Sequence, residues 1–564
     1  MKIKFIANAQ NNMESKKINN CKIKTYVLLV FSFFTLLSFS QSISPLLYGI
    51  NAWMPHQYGT NAVWGKMDQL WGKVKDCHVG FVRIGGIVPD SDKPTNAQYI
   101  SMIDSIRKIG AEPLVQVSYA NGVYNETQAA DLVKYINVDM ARNVKYWSIA
   151  NEPDGQYGIS TSTPIAVYFK KYATAMKKID PTIKIVGPDL SYLQFHIYHS
   201  LIGGADDITG KDANGNYILD VIAFHSYNYA GEQTRSQVIN EAVTAFQEKA
   251  DSIQMWINKS NLKNARTGTN ILSWAVTEFN IDYQNPTVNN AEGVGAHSFI
   301  NGQHWAECLG ICMKNNALSF MPWSVHESNG DRSLYDLGFL DGLNGNNPRS
   351  SYYHLQMMAL YNKTNYAIST SNQARVKVVS TKDASGTTVM ILNEELSASF
   401  NYTIRLDNAT ITNGSALKIN IDKGQTVQYN STSAIPAQST RVLVFDSSGV
   451  LTNILEYALS DAQNQTAPRG IYSSGLTTDY EGAKMISCII QDQTSLKFDF
   501  TEMNAKADFN MQIFDMGAKL IYSKQIPYAC SVVSVEKSIF GKGLFIVSIQ
   551  TMNKNFYQKL TIIK

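Results

Sequence analysis

Charge is scarce in this chain. Asp, Glu, Lys and Arg make up 17% of its 564 residues, and Lys plus Arg exceed Asp plus Glu by only three, 49 against 46. There is no long Lys/Arg block and no definable basic face, so a nucleic-acid partner is not indicated. No Cys-x-x-Cys pair occurs, which removes the usual zinc spacing. No GxGxxG follows the first strand-like run, which weighs against a dinucleotide-binding doubly wound sheet. No motif calls for a cofactor or a metal. The apolar run 26–39 (YVLLVFSFFTLLSF) is short for a membrane span.

That run follows Lys16, Lys17, Lys22 and Lys24 and ends at Ser38-Phe39-Ser40, a small-x-small pattern before Gln41. Residues 1–40 therefore read as a secretory signal peptide, with Met13 an alternative start. Of six Cys, Cys21 leaves with this segment. Cys77, Cys308, Cys312, Cys488 and Cys530 remain, an odd count that argues against a disulfide scaffold. Cys308 and Cys312 sit one helical turn apart and read as buried thiols, while Cys488 and Cys530 could pair.

Hydrophobic residues make up 44% of the chain, enough for large cores. At roughly 100–200 residues per domain, the length suggests about three domains. From 46 to 325 short β-branched or apolar runs alternate with amphipathic stretches. The strand candidates are 46–53, 80–84, 113–118, 145–150, 183–186, 219–224, 273–277 and 318–323. The clearest helices between them are 96–109, 128–136, 165–179 and 240–257. Eight βα repeats of this size predict an α/β fold, a (β/α)₈ TIM barrel over 41–348. Period-two alternation over 366–445, after a helix at 349–361, predicts an antiparallel β-sandwich over 349–446 packed on the barrel. A polar linker is expected at 447–484, with a short helix at 451–458. Alternation returns over 485–564 as a small C-terminal β-sandwich.

In such a barrel chemistry sits on loops at the C-terminal ends of the strands. Strand four runs into Asn151-Glu152-Pro153 and strand seven into Glu278-Phe279-Asn280. An N-E-P triplet can be an ordinary turn; its place directly after a strand is what lifts it. A lone Glu278 is weaker and depends on the strand count. Two carboxylates facing each other across a barrel mouth suit glycoside hydrolysis: one protonates the leaving oxygen, and the other attacks the anomeric carbon or activates water. The acid needs a raised pKa and the nucleophile must stay ionised. Arg83, ending strand two, is placed to keep Glu278 charged, and Asn151 to bind a 2-hydroxyl. Other strand ends supply aromatic faces and hydroxyl partners: Asn51 and Trp53 with His56 nearby, His225 and Tyr227, then Trp323 with His326 and Glu327. Two decoys are set aside. Asp212–Asn216 resembles the start of a calcium loop but has Ala223 where Glu is required, and reads as a β-turn. Glu112 lies at the wrong end of strand three.

On Asn151-Glu152-Pro153 and Glu278, the barrel resembles clan A of the glycoside hydrolases, whose carboxylates follow strands four and seven. The resemblance implies Glu152 as acid/base and Glu278 as nucleophile of a retaining enzyme, with Arg83 and Trp323 matching residues frequent in the clan. Barrel plus sandwich is similar to families 39, 30, 44 and 51, and Thr277-Glu278-Phe279-Asn280 looks closest to 44 and 51. The substrate implied is a plant or algal polysaccharide, with α-L-arabinofuranosides as the alternative. A barrel that binds carbohydrate without catalysis is the rival outside the class. The last 80 residues resemble the sorting domain of type IX secretion in Bacteroidetes, on 509–517 (FNMQIFDMG), 541–547 (GKGLFIV) and the terminal strand 559–564. This implies the type IX machinery as a partner and a secreted or surface-attached protein, expected to be a monomer.

Overall fold

The structure is a computed structural model. It describes residues 41–55, 67–327, 335–342, 345–407, 416–473, 488–491, 494–500, 508–515, 519–527, 532–540, 543–550 and 555–562. The expected signal segment, His56 and Cys530 lie outside the described residues. No helix among the described residues is long and apolar enough to cross a membrane.

Eight parallel strands form the barrel: β1 (Gly49–Trp53), β2 (Phe81–Gly85), β3 (Glu112–Val117), β4 (Tyr146–Ile149), β5 (Lys184–Leu190), β6 (Val221–Tyr229), β7 (Ser273–Asp282) and β8 (Ser319–Phe320). Neighbours in sequence are neighbours in the sheet, and a parallel Tyr48–Phe320 bridge joins β8 to β1. All eight expected strands are present, so the fold is a TIM barrel. Helices fill the crossovers, including Asn96–Lys108, Ser162–Ile179 and Val243–Lys263. Thr95 with Gln98, and Asn125 with Gln128, form capping boxes that satisfy orphan N–H groups at two helix starts.

Strand periodicity divides the barrel interior into two layers. Phe81, Leu114, Tyr146, Val186, Val221, Ala223, Ala275 and Met321 form a separate apolar cluster. Two residues further along β2, β3 and β6 stand the buried polar groups Arg83, Gln116 and His225. The same alternation that plugs the barrel thus raises a polar floor above the plug, towards the C-terminal strand ends.

The sandwich extends further than its sequence pattern suggested. Its large sheet runs in the order Asn365–Ala367, Val376–Asp383, Gly386–Asn393, Ser439–Asp446, Leu451–Ala458, Arg469–Ser473. Residues 451–458 are a strand and not a helix, and the expected linker therefore does not begin at 447. Leu451, Ile454, Leu455 and Ala458 carry the i, i+3, i+4, i+7 spacing of a helix. A β-bulge causes this: Val444 pairs with Asn453 but Phe445 with Leu451, leaving Thr452 over and shifting the alternation. Both faces of this sheet are buried. Met390, Leu392 and Val442 join the barrel's core, whereas Val389, Ile391, Leu443 and Phe445 face the smaller sheet. In that sheet one pair, Tyr402–Arg405 with Leu417–Ile421, is parallel, where an all-antiparallel sandwich was expected.

The C-terminal strands form two sheets around their own core, which includes Leu496, Phe498, Met511, Ile513, Val547 and Ile549. Phe509–Asp515 and Leu520–Ile526 pair antiparallel.

Candidate active site

Arg83 is the hub of the polar floor and is fully buried. Its Nη1 donates to Asn51 Oδ1 at 2.9 Å and Glu278 Oε1 at 2.7 Å. Its Nη2 donates to Gln116 Oε1 at 3.0 Å and Asn151 Oδ1 at 2.8 Å. Asn51 is tied down in turn through Nδ2, which donates to the carbonyls of Thr277 and Met321 at 2.8 and 2.9 Å. Side chains from four other strand ends are thus locked to one guanidinium, whose planar fork suits several oxygens at once.

Two bulges aim the carboxylates. On β5, Pro188 pairs with Ala223 and Leu190 with Phe224, leaving Asp189 over. On β7, Val276 pairs with Phe224 and Glu278 with His225, leaving Thr277 over. The Thr277 hydroxyl donates to Asp189 Oδ1 at 2.6 Å, and Glu152 N donates to the Asp189 carbonyl at 2.9 Å. The extra residue on β7 lets Thr277 and Glu278 both take part in this region, where strict alternation would send Glu278 outward. Ala150, Glu152 and Asp189 all hold φ values of 45–68°, a conformation costing roughly 1–2 kcal/mol each for an L-residue. Such strain clusters at functional sites.

One oxygen of Glu152, one of Glu278 and a ring nitrogen of His225 lie within 4.8 Å of one another. His225 Nδ1 is 2.8 Å from Glu152 Oε1 and 3.4 Å from Glu278 Oε2. Its Nε2 is buried with no hydrogen-bond partner among the described residues. Tyr227 donates its hydroxyl to Glu278 Oε2 at 2.8 Å. Three such donors could grip a cation, but the guanidinium already occupies Glu278 Oε1 and supplies the balancing charge.

The electrostatics differ from the simple expectation for an acid and a nucleophile. Burial raises Glu278 above the ordinary carboxylate range; His225 and Arg83 pull it back only in part, and the Glu152 charge adds to the rise. Burial also acts on Glu152, but the hydrogen bond and charge of His225, then Arg83, outweigh it and hold Glu152 low. His225 is raised: burial opposes its charge, and the two carboxylates overcome that. Arg83 does not keep Glu278 the easier of the two to ionise, because full burial is the larger effect.

The cavity over this floor encloses about 450 Å³ and includes Trp53, Asn151, Glu152, Tyr227, Glu278 and Trp323 in its wall. Trp53 meets Trp323 edge-to-face at 4.8 Å between centroids. Other expected residues sit elsewhere. Asn51 and Arg83 lie beneath as supports, His225 is buried between the carboxylates, and His326 is buried outside the cavity wall. Residues not singled out from sequence complete the site: Gln116 and Asp189 below, Gln156, Tyr283 and Tyr335 in the wall. Gln116 was findable, being the one neutral polar residue in an apolar strand, EPLVQV. Asp189 was not, because it lies in a bulge. Of the decoys, Asp212 makes a turn, accepting from the N–H groups of Asn214 and Asn216. Glu112 begins β3, at the end away from the site.

No protein-family model matches the chain, and no curated protein matches it. Solved structures do resemble it. The family 51 α-L-arabinofuranosidase AbfB of Bifidobacterium longum is similar at a TM-score of 0.51 and 13% identity, over 72% of this chain and 96% of that one. The bifunctional glucanase-xylanase CelM2 from a metagenome library gives 0.48 and 14%, over 72% and 96%. A family 44 xyloglucanase of Paenibacillus polymyxa gives 0.47 and 14%, over 72% and 97%. At 13% identity the likeness to the arabinofuranosidase bears on the fold alone, a TIM barrel with an added β domain.

Proposed function

We propose that the chain is a retaining glycoside hydrolase that cleaves O-glycosidic bonds of a β-linked plant or algal polysaccharide, with Glu278 as nucleophile and Glu152 as acid/base. One observation carries this: two carboxylates from strands four and seven approach within 4.8 Å over the barrel mouth. Retaining enzymes hold their carboxyl groups about 5–5.5 Å apart, whereas inverting ones need roughly 6.5–9.5 Å for an intervening water. Glu278 is pinned on both oxygens, by Arg83 and Tyr227, which fixes a nucleophile in direction. Glu152 is the more open of the two, its side chain 26% exposed, as suits a group that meets a leaving oxygen and then water.

The resting charges must be rearranged for this chemistry, and His225 supplies the route. Its Nδ1 lies within reach of both carboxylates, so the Nδ1 proton can pass to Glu152 Oε1 and be replaced by the proton leaving Glu278 Oε2. A sugar that covers Glu152 and brings a glycosidic oxygen to it favours the protonated acid. Glu278 then attacks the anomeric carbon while Glu152 gives its proton to the departing oxygen; water, deprotonated by Glu152, releases the sugar with net retention. Asn151, in the cavity wall and oriented by Arg83, suits the 2-hydroxyl. The N-terminal signal and the C-terminal sorting domain complete the reading as an exported enzyme handled by type IX secretion.

The test is a panel of p-nitrophenyl β-D-xyloside, β-D-glucoside and α-L-arabinofuranoside with xyloglucan, xylan and β-glucan, the first product followed by NMR. The arabinofuranoside is included because the family 51 structure similar in fold is named for that activity. Retained configuration is expected, and inversion would remove Glu278 as nucleophile. Glu278→Gln should lose turnover on every substrate. Glu152→Gln should lose it on polysaccharide but keep part of the first step with nitrophenyl leaving groups, which need little protonation. Near-wild-type activity of either variant on polysaccharide would refute its role.

A further inference from the structure

A third carboxyl stands in the cavity wall and takes no part in the two-carboxylate chemistry. Glu327 lines the same cavity as Glu152 and Glu278 and is only 7% exposed. Two protein donors fix it: Trp323 Nε1 donates to Oε1 at 2.5 Å, and Leu337 N donates to Oε2 at 2.8 Å. No Lys or Arg among the described residues forms an ion pair with it, unlike Glu278, which holds Arg83. A buried carboxyl without a counter-ion is costly. A purely structural acceptor for Trp323 and Leu337 could be an uncharged amide or carbonyl. Each oxygen of Glu327 uses one acceptor position on the protein and keeps a second. The ring of Trp323, which Glu327 orients, lines the cavity beside it, and Gly86 leaves room for that ring: a Cβ on Gly86 would lie 2.5 Å from Trp323 Cη2. An aromatic face next to unspent carboxyl oxygens matches a sugar ring, apolar on its C–H face and hydroxylated at its edge.

Resting on the glycosidase reading, we propose that Glu327 binds ring hydroxyls of the sugar whose anomeric carbon Glu278 attacks, and so helps to decide which sugar the cavity accepts. Burial, with the charges of Asp336 and Glu278, pushes the Glu327 carboxyl up to about 8 against the pull of its two hydrogen bonds. It therefore passes from a neutral acid to an anion in the mildly alkaline range, and its grip on a hydroxyl strengthens as it does so.

The experiment uses the full-length protein and whichever nitrophenyl glycoside it hydrolyses, together with the 3-deoxy and 4-deoxy analogues of that glycoside. The readout is the ratio of kcat/KM for parent and analogue. The wild type should discriminate against at least one analogue by roughly 10- to 100-fold. In folded Glu327→Gln and Glu327→Asp that preference should shrink towards unity. If both variants slow parent and analogue equally, Glu327 only supports Trp323 and the proposal is overturned. A second measurement needs no variant: in the wild type the same ratio should rise between pH 6 and pH 9, while effects of Glu152 and Glu278 cancel between the two substrates. A ratio that stays flat over that range also overturns it. Failure of the glycosidase reading looks different: no glycoside of the panel is then hydrolysed in a Glu278-dependent way.

Discussion

Replacing Arg83 by Lys keeps a positive charge beneath Glu278 but not the geometry that distributes it. Two guanidinium nitrogens reach four oxygens, on Asn51, Glu278, Gln116 and Asn151. A single ammonium placed against Glu278 can retain Asn51 as well, but not the other pair. Gln116 Oε1 would keep one donor, since Gly86 N also reaches it at 2.9 Å. Asn151 Oδ1 would be left without the guanidinium. Losing one of two donors costs about 0.5–1.5 kcal/mol and leaving a buried acceptor unpaired about 1–3 kcal/mol, so Arg83→Lys should destabilise the barrel by about 2–4 kcal/mol. Arg83→Met should cost more, about 3–5 kcal/mol, because Glu278 then lies buried with no cation beneath it. All eight Trp lie between residues 53 and 323, so tryptophan fluorescence during urea unfolding reports on the barrel rather than on the β domains. Activity should fall about 100-fold in the Lys variant from the misplacement of Asn151 and Glu278 alone. If Arg83→Lys unfolds within about 1 kcal/mol of wild type with near-normal activity, the guanidinium is not the hub. If Met is no worse than Lys, charge plays no part.

Two further outcomes follow from named contacts. His225→Ala removes the group that holds Glu152 low, so Glu152 should titrate higher. His225 also pulls Glu278 down, so both limbs of kcat/KM should move to higher pH, and unmoved limbs would refute the hold of His225 on the two carboxyls. Asp336 is held well below the carboxylate range; burial opposes this, but hydrogen bonds from His297 and Arg349 and their charges prevail. A depressed folded value gives stability that is present above the unfolded value near 4 and is lost as pH falls through the folded one. Asp336→Asn should therefore be clearly less stable than wild type at pH 6, with the gap narrowing towards pH 3; a gap independent of pH would contradict the ion pair with Arg349.

The barrel was legible because its strands obey one rule for most of their length. Eight apolar runs at regular spacing predict eight strands, and period two predicts that Arg83 shares the inner face with Phe81. The sequence signal fails where the backbone departs from that period. The bulges that leave Asp189 and Thr277 over are single extra residues with no compositional mark, yet they determine where Glu278 lies. The bulge at Thr452 works the other way: it makes a strand look like a helix, so the period-two pattern stops one strand pair before the sandwich does. Charge was the least legible property. Arg83 next to Glu278 suggests an ionised carboxylate, but burial is a property of the whole barrel mouth and enters no local pattern. His225 shows the same limit, since its place at a strand end suggested hydroxyl binding, while the fold sets it between the two carboxylates with Nε2 walled in.

The extent of the sandwich bears on what counts as the working unit. A sheet with one free face needs apolar residues only at alternate positions, yet Gly386–Asn393 is buried at every one of its eight residues. Successive residues of that strand serve two cores, Val389 and Ile391 facing the small sheet and Met390 and Leu392 facing the barrel. Polar contacts cross the same boundary: His354, on the helix Ser350–Tyr361, pairs through Nε2 with Thr440 Oγ1 at 2.8 Å, and Gln303 donates to the Ser439 carbonyl at 3.2 Å. Cutting the chain after the last barrel strand would expose the barrel-facing row of this sheet's partners along the helix Phe299–Lys314, which is buried at nearly every position. That helix directly follows the loop carrying Tyr283, and β7, which carries Glu278, precedes the same loop. The sandwich is thus coupled by packing to the strand that carries Glu278, and the barrel with its sandwich, rather than the barrel alone, is the structural unit.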